Sequence, residues 1–105
     1  MAKIKPITVV IVTYNSSQTI ASLLSSLDKP SNARTINEVI IIENDSPDQK
    51  KTGAIVREYK ARYNTKFIKS KSNNGFGKSC NFGAKHAKSQ FILFINPDTQ
   101  VGTKS

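Results

Sequence analysis

Three stretches of the chain are continuously apolar and rich in β-branched or aromatic residues. Thr8-Val9-Val10-Ile11-Val12-Thr13 shows no polar alternation, which is how a strand reads when both faces of a parallel sheet are covered. Val39-Ile40-Ile41-Ile42 and Phe91-Ile92-Leu93-Phe94-Ile95 read the same way, and all three are predicted as buried strands. Lys66-Phe67-Ile68 is a shorter, weaker strand between the last two. The intervening segments change period. Ile20, Leu23, Leu24 and Leu27 are spaced i, i+3, i+4, i+7, an amphipathic helix with Ser16 or Ser17 available as N-cap and a break at Lys29-Pro30-Ser31-Asn32. Ile55, Val56, Tyr59 and Tyr63 mark one face of a second helix, with Ser46 to cap it and Pro47 at its first position. A Gly/Asn/Ser loop from Ser70 to Gly77 leads into a third helix with the small residues Cys80, Gly83, Ala84 and Ala87 on one side.

The order β-α-β-α-β-α-β predicts an α/β fold. Its core is a Rossmann-like parallel sheet of about four strands, with right-handed crossovers and helices on its faces. A sheet ending on the fourth strand has an open edge. With 105 residues the chain is expected to form one domain. No run approaches the roughly 20 apolar residues that cross a bilayer. The basic start, Met1 to Pro6, lacks the long apolar stretch and cleavage site of an export signal. The expected location is cytoplasmic. The single Cys80 excludes an internal disulfide framework and a multi-cysteine metal cluster, and the Asn-x-Ser matches at Asn15 and Asn44 are not expected to be glycosylated.

Charge changes the picture in one half only. The net charge of +9 comes from residues 50–105, which hold twelve Lys/Arg against two Asp/Glu, whereas residues 1–49 hold four against five. The second half suits an anion: nucleic acid, an anionic membrane face, or a phosphorylated small molecule. In sheets of this type ligands sit beyond the carboxyl ends of the strands, where the strand order reverses. The residues that follow each strand are therefore the candidates. Thr13-Tyr14-Asn15 offers an aromatic that either stacks on a base or lids the core. Glu43 and Asn44 have the acceptor and amide needed to read a nucleobase edge, while Asp45 and Ser46 suit turn chemistry. Asp98, on the turn Asn96-Pro97-Asp98-Thr99, is placed either to bind a hard divalent cation that bridges to phosphate or to stabilise the turn.

Ser72-Asn73-Asn74-Gly75-Phe76-Gly77-Lys78-Ser79 matches the phosphate loop G-x-x-x-x-G-K-[ST] except at its first glycine. It follows the weakest strand, so triphosphate hydrolysis is not expected, although glycines, a lysine and a helix start make a reasonable seat for a diphosphate. The turn Tyr14-Asn15-Ser16 also argues against a dinucleotide fold, which needs G-x-G-x-x-G there. His86 reads as a surface residue and Cys80 as packing.

Taken together, Val10 to Asn15, Ile41 to Asp48, Asn73 to Gly77 with Asn81 to Gly83, and Leu93 to Asp98 resemble glycosyltransferase family 2, in order and at family spacing. Within it the chain is most similar to the rhamnosyltransferase-like branch. The resemblance implies the N-terminal half of a GT-A fold and inverting transfer of a sugar from a nucleotide-diphosphate donor. It places Thr13, Tyr14, Asn15, Glu43, Asn44, Asn73, Gly75, Lys78, Asn81 and Asn96 at the nucleotide. Asp98 would be the ligand of Mg²⁺ or Mn²⁺, the metal that stabilises the diphosphate leaving group.

Three positions depart from the family pattern: Asn44 in the usual acidic pair, Asn96 in place of the first carboxylate of Asp-x-Asp, and Cys80 for a common arginine. The family's general base and acceptor site lie in its second half, so the 105 residues are expected to be a donor-binding part that is inactive alone. The implied partners are a nucleotide-sugar donor, a glycan or lipid-linked acceptor, and a membrane periphery, with no nucleic acid. Two alternatives are a basic nucleic-acid-binding module, for which no recognition motif is present, and a non-catalytic fragment forming homo-oligomers through its sheet edge.

Overall fold

The computed structural model describes residues 6–59, 61, 63–73, 75–95 and 97. Within them the chain runs β1 (Ile7–Thr13), α1 (Ile20–Leu27), α2 (Pro30–Ala33), β2 (Ile36–Glu43), α3 (Gln49–Glu58), β3 (Asn64–Lys69), α4 (Gly75–Lys85) and β4 (Phe91–Ile95). The strands form one sheet in the order β3-β2-β1-β4, and every neighbouring pair is parallel. The predicted α/β fold is borne out. One addition is α2, a single helical turn where a break was expected. It starts on Pro30, whose missing N–H is not needed at a first helical position.

Side chains alternate across a strand, and here both faces are covered. Val9, Ile11, Val39 and Ile41 pack with Ile20, Leu23, Leu24 and Leu27 of α1 and Val56 of α3. Val10, Val12, Ile40 and Ile42 pack on the other face with Cys80 of α4. That two-sided cover is why β1 and β2 show no polar alternation. Each such side chain contributes roughly 1.5–3 kcal/mol on burial. Helix α4 approaches the sheet closely at Gly83, where a Cβ would lie 2.5 Å from Val10 Cγ1. Gly83→Ala is therefore expected to cost about 1–3 kcal/mol by overpacking, seen as a lower denaturation midpoint with an unchanged slope.

Several helix ends differ from expectation because side chains are committed elsewhere. The N-cap residue of α1 is Thr19; Ser16 instead accepts the amides of Thr19 and Ile20 on its carbonyl. Helix α3 begins at Gln49 after Asp48, so neither Ser46 nor Pro47 starts it. It ends at Glu58, with Tyr59 already extended, so Tyr59 and Tyr63 lie beyond the helix. They tie the layer together: the Tyr63 hydroxyl donates to the Leu24 carbonyl at 2.9 Å and that of Tyr59 to Asp28 Oδ2 at 3.3 Å. Burial pushes the Tyr63 phenol well above its ordinary range.

The expectation of a buried fourth strand is corrected. Strand β4 sits at the sheet edge beside β1, and Phe91, Ile92, Leu93 and Phe94 are 37–58% exposed, with Ile95 alone of that strand buried. An apolar run specifies a strand but not what covers it. At the other end of the sheet Glu38, to which sequence reasoning gave no role, is almost fully buried. It accepts hydrogen bonds from Thr8 Oγ1 (2.7 Å) and the Lys88 amide (2.6 Å), and faces Lys66 Nζ at 3.6 Å.

Candidate functional site

From β1 the chain steps outward to β2 and β3, then returns to place β4 on the opposite side of β1. The strand order therefore reverses at β1, and the crevice belongs at its carboxyl end. A cleft of about 450 Å³ lies there, lined by Tyr14, Asn15 and Ser16 after β1, Asn44 after β2, Asn73, Gly75 and Phe76 at the start of α4, and Pro97 after β4. All four strand ends contribute.

Backbone geometry fixes these loops. Asn15 and Asp45 occupy the left-handed region, with φ of 53° and 59°, which Asn and Asp tolerate better than other side chains. The Ser16 hydroxyl closes the first turn, accepting from the Tyr14 amide at 3.1 Å and lying 3.2 Å from the Tyr14 carbonyl. This leaves the Tyr14 ring 48% exposed, so it stands at the rim and does not lid the core. Asn44 donates its backbone N–H to the Thr13 carbonyl and its Nδ2 to Asn73 Oδ1, both at 2.9 Å. The same Asn73 oxygen accepts the Gly75 amide at 2.9 Å. Two side-chain amides thus link the ends of β1 and β2 to the first turn of α4. Gly75, at φ 81°, needs the freedom of glycine.

Glu43 has a different place from the one expected for a base-reading residue. Its side chain is fully buried. Oε1 accepts from Thr13 Oγ1 (3.0 Å), Oε2 from the Ser46 amide (2.8 Å), and the Ser46 hydroxyl lies within 3.0 Å of both oxygens. Ser46 Oγ also reaches Asp48 Oδ1 at 2.7 Å, and Asp48 Oδ2 accepts the Ser17 amide at 2.9 Å. Burial alone would raise the Asp48 carboxyl, but the hydrogen bonds from Ser46 and Ser17 outweigh it and hold the group below its ordinary value. This chain of polar contacts ties the β1 loop to the β2 loop from behind the cleft. Ser16, Ser46 and Asp48 were missed as site-building residues, because short polar side chains in turns carry no signal that separates local from cross-loop bonding.

Of the predicted nucleotide residues, the structure brings Tyr14, Asn15, Asn44, Asn73 and Gly75 into one cleft. Thr13 is buried beneath it, bonded to Glu43. Lys78 and Asn81 line a second cleft, with Lys69, Lys71 and Lys85; positions 78, 81 and 85 share one stripe of α4. Asn96 and Asp98 lie outside the described residues. Among the described residues no three of His, Cys, Asp and Glu come together. Of the three carboxylates at the β2 loop, Glu43 and Asp48 are engaged by hydroxyls and amides, whereas Asp45 is exposed and lies 3.5 Å from Gln49 Nε2. On the described residues alone, no metal site is assembled. His86 is exposed, its ring edge-on to Phe82 with centroids 4.7 Å apart, and the buried Cys80 thiol is raised by desolvation.

Comparison with known proteins agrees with this arrangement. The chain is 35% identical over 98 residues to the poly(ribitol-phosphate) beta-N-acetylglucosaminyltransferase TarS of Staphylococcus aureus, covering 92% of this chain and 17% of that protein. It is 29% identical over 102 residues to the poly-beta-1,6-N-acetyl-D-glucosamine synthase of Staphylococcus epidermidis, covering 94% and 23%. The crystal structure of S. aureus TarS 1-349 in complex with UDP-GlcNAc superimposes with a TM-score of 0.73 at 34% identity, over 89% of this chain and 26% of that one. The chain thus spans about a quarter or less of each of these proteins. The names bear on the family and not on a rhamnosyltransferase-like branch. The family description "Glycosyl transferase family 2" matches residues 8–104, and with the parallel sheet and the cleft at its switch point this establishes that the chain belongs to glycosyl transferase family 2.

Proposed function

We propose that the chain is the donor-binding part of an enzyme that transfers a sugar, with inversion, from a nucleotide-diphosphate sugar to a cell-wall or other surface polymer. The observation that carries this reading is the convergence of Tyr14, Asn15, Asn44, Asn73 and Gly75 on one cleft at the switch point. Tyr14 supplies a face for the base, and the two asparagines supply the amides that read its edge or the ribose. Glu43 serves from behind, holding the loop that carries Asn44. The UDP-GlcNAc complex of TarS favours uridine diphosphate as the nucleotide. Asp98 is proposed to hold a divalent metal; when bound, such an ion supplies positive charge to the diphosphate. The reacting hydroxyl of the acceptor, a glycan or lipid-linked polymer, would be activated by residues outside this segment, at the cytoplasmic face of a membrane, where the basic half suits anionic headgroups.

Calorimetric titration of UDP, dTDP and GDP, with and without Mn²⁺, tests the donor reading. One nucleotide, UDP, is expected to bind in a metal-dependent way, and Asp98→Ala is expected to weaken it about tenfold or more, which is about 1.4 kcal/mol. Binding of all polynucleotides with a steep salt dependence and indifference to Asp98→Ala would favour the nucleic-acid alternative.

The exposed apolar edge of β4 supports a second statement: it is covered either by further polypeptide or by another copy of the chain. Light scattering on the 105-residue chain is expected to show association that rises with concentration and that falls in Phe91→Lys/Leu93→Lys. A monomer at all concentrations would remove the homo-oligomer reading.

A further inference from the structure

Four lysines outside the switch-point cleft gather in a second one. Lys69 at the end of β3, Lys71 just beyond it, and Lys78 and Lys85 on α4 line a cavity of about 590 Å³ together with Ser79 and Asn81. Among the described residues no carboxylate lines it. Among them, too, none of these lysines is in an ion pair, the one described pair being Lys66–Glu38 at the far end of the sheet. Like charges held around one concavity repel each other unless an anion joins them, and low-dielectric walls focus their field.

An independent observation points the same way. Ser79 is 2% exposed and its Oγ has no hydrogen-bond partner, whereas the buried hydroxyls of Thr8, Thr13 and Ser46 are all bonded. The other unpartnered hydroxyl, on Thr52, lines none of the clefts described here. A buried hydroxyl left without a partner on the wall of a cleft is free to bond to what the cleft holds. With a hydroxyl, an amide on Asn81 and four ammonium groups, the donors are those that hold phosphate oxygens.

We propose that the cleft between β3 and α4 is a phosphate site that takes successive phosphodiesters of a polyanionic polyol-phosphate chain, the acceptor polymer, while the donor occupies the switch-point cleft. The identity of the chain as acceptor rests on the donor reading above; the phosphate site does not. Four positive charges exceed what one phosphate group balances, which favours a chain carrying several. Phe82, on the cavity wall and 42% exposed, gives the carbon segment between phosphates an apolar surface. The poly(ribitol-phosphate) in the name of TarS is a chain of that chemistry.

The test titrates a synthetic ribitol-phosphate hexamer, inorganic phosphate, phosphatidylglycerol vesicles and UDP separately into the 105-residue chain, at about 50 and about 200 mM salt. The hexamer is expected to bind at least about tenfold more tightly than inorganic phosphate and to weaken steeply with salt. Lys71→Gln/Lys85→Gln is expected to reduce hexamer affinity by about tenfold and leave UDP affinity unchanged. Ser79→Ala is expected to keep or raise the melting temperature, since it removes an unpaired group, and still weaken the hexamer. The proposal is overturned if the double variant binds the hexamer as wild type does, if inorganic phosphate binds as tightly as the hexamer, or if only the vesicles bind. Hexamer binding without UDP binding would support this site and sink the donor reading; UDP binding without hexamer binding would do the reverse.

Discussion

Glu38→Ala is expected to remove about 3 kcal/mol of stability at neutral pH, a large part of what a domain of this size has. The carboxylate is nearly fully buried, and Oε2 alone accepts from both Thr8 Oγ1 and the Lys88 amide. Alanine leaves both donors unpaired and opens a cavity where β1, β2 and the α4–β4 connection meet. Glu38→Gln is a sharper probe. Its amide oxygen can still accept from Thr8 and Lys88, so it loses only the contact with Lys66, which is 39% exposed and worth about 1 kcal/mol or less. Burial would raise the Glu38 carboxyl, but the bonds from Lys88 and Thr8 and the nearby Lys66 charge outweigh it and hold it below the ordinary 4.5. The ionised form therefore favours the folded state. Its contribution is complete above about 4.5 and is lost as the pH falls through the folded-state value. Urea denaturation from neutral to acid pH should show wild type losing stability along that limb and Glu38→Gln losing less. Equal costs for alanine and glutamine would mean that the hydrogen bonds do not carry the effect.

Glu43→Ala is the second large effect, about 2–4 kcal/mol. It strips a partner from Thr13 Oγ1 and from both the amide and the hydroxyl of Ser46. What distinguishes the buried role from direct contact is how nucleotide affinity responds. Since Glu43 is fully buried, its removal should act through the β2 loop, lowering stability and loosening Asn44 together. Asn44→Ala should reduce UDP affinity while costing less stability than Glu43→Ala. If a Glu43 variant lost UDP binding at unchanged stability, the carboxylate would have to touch the nucleotide directly, as the sequence suggested.

The fold was legible because β1 and β2 are buried on both faces, and four consecutive β-branched apolar residues such as Val39 to Ile42 suit little besides a strand covered on both sides. The same logic failed at β4, where Phe91 to Phe94 are as apolar but exposed at a sheet edge. Apolar runs encode cover without saying whether that cover lies within the same 105 residues. Tyr14, Asn15, Asn44, Asn73 and Gly75 could be grouped from sequence, and they share one cleft, because the ends of parallel strands converge by topology, independently of side-chain detail. That Glu43 is buried against its own loop could not be read from sequence, because a carboxylate after a strand looks the same whether it faces the cleft or the loop beneath. Lys78 and Asn81 were grouped with Gly75 by proximity in sequence, but they line the cleft beside Lys69 and Lys71 at the end of β3. The lysine cleft was visible only as excess charge, since Lys69, Lys71 and Lys85 are brought together by the packing of α4 across the sheet.

The most direct test of the donor reading is an amide NMR titration of the chain with UDP in the presence of Mg²⁺, which leaves resonances sharp. The donor reading predicts shift changes concentrated on Tyr14, Asn15, Gly75 and the side-chain amides of Asn44 and Asn73. Changes confined to Lys69, Lys71 and the Lys78 to Lys85 face of α4, or none at saturating nucleotide, would contradict it.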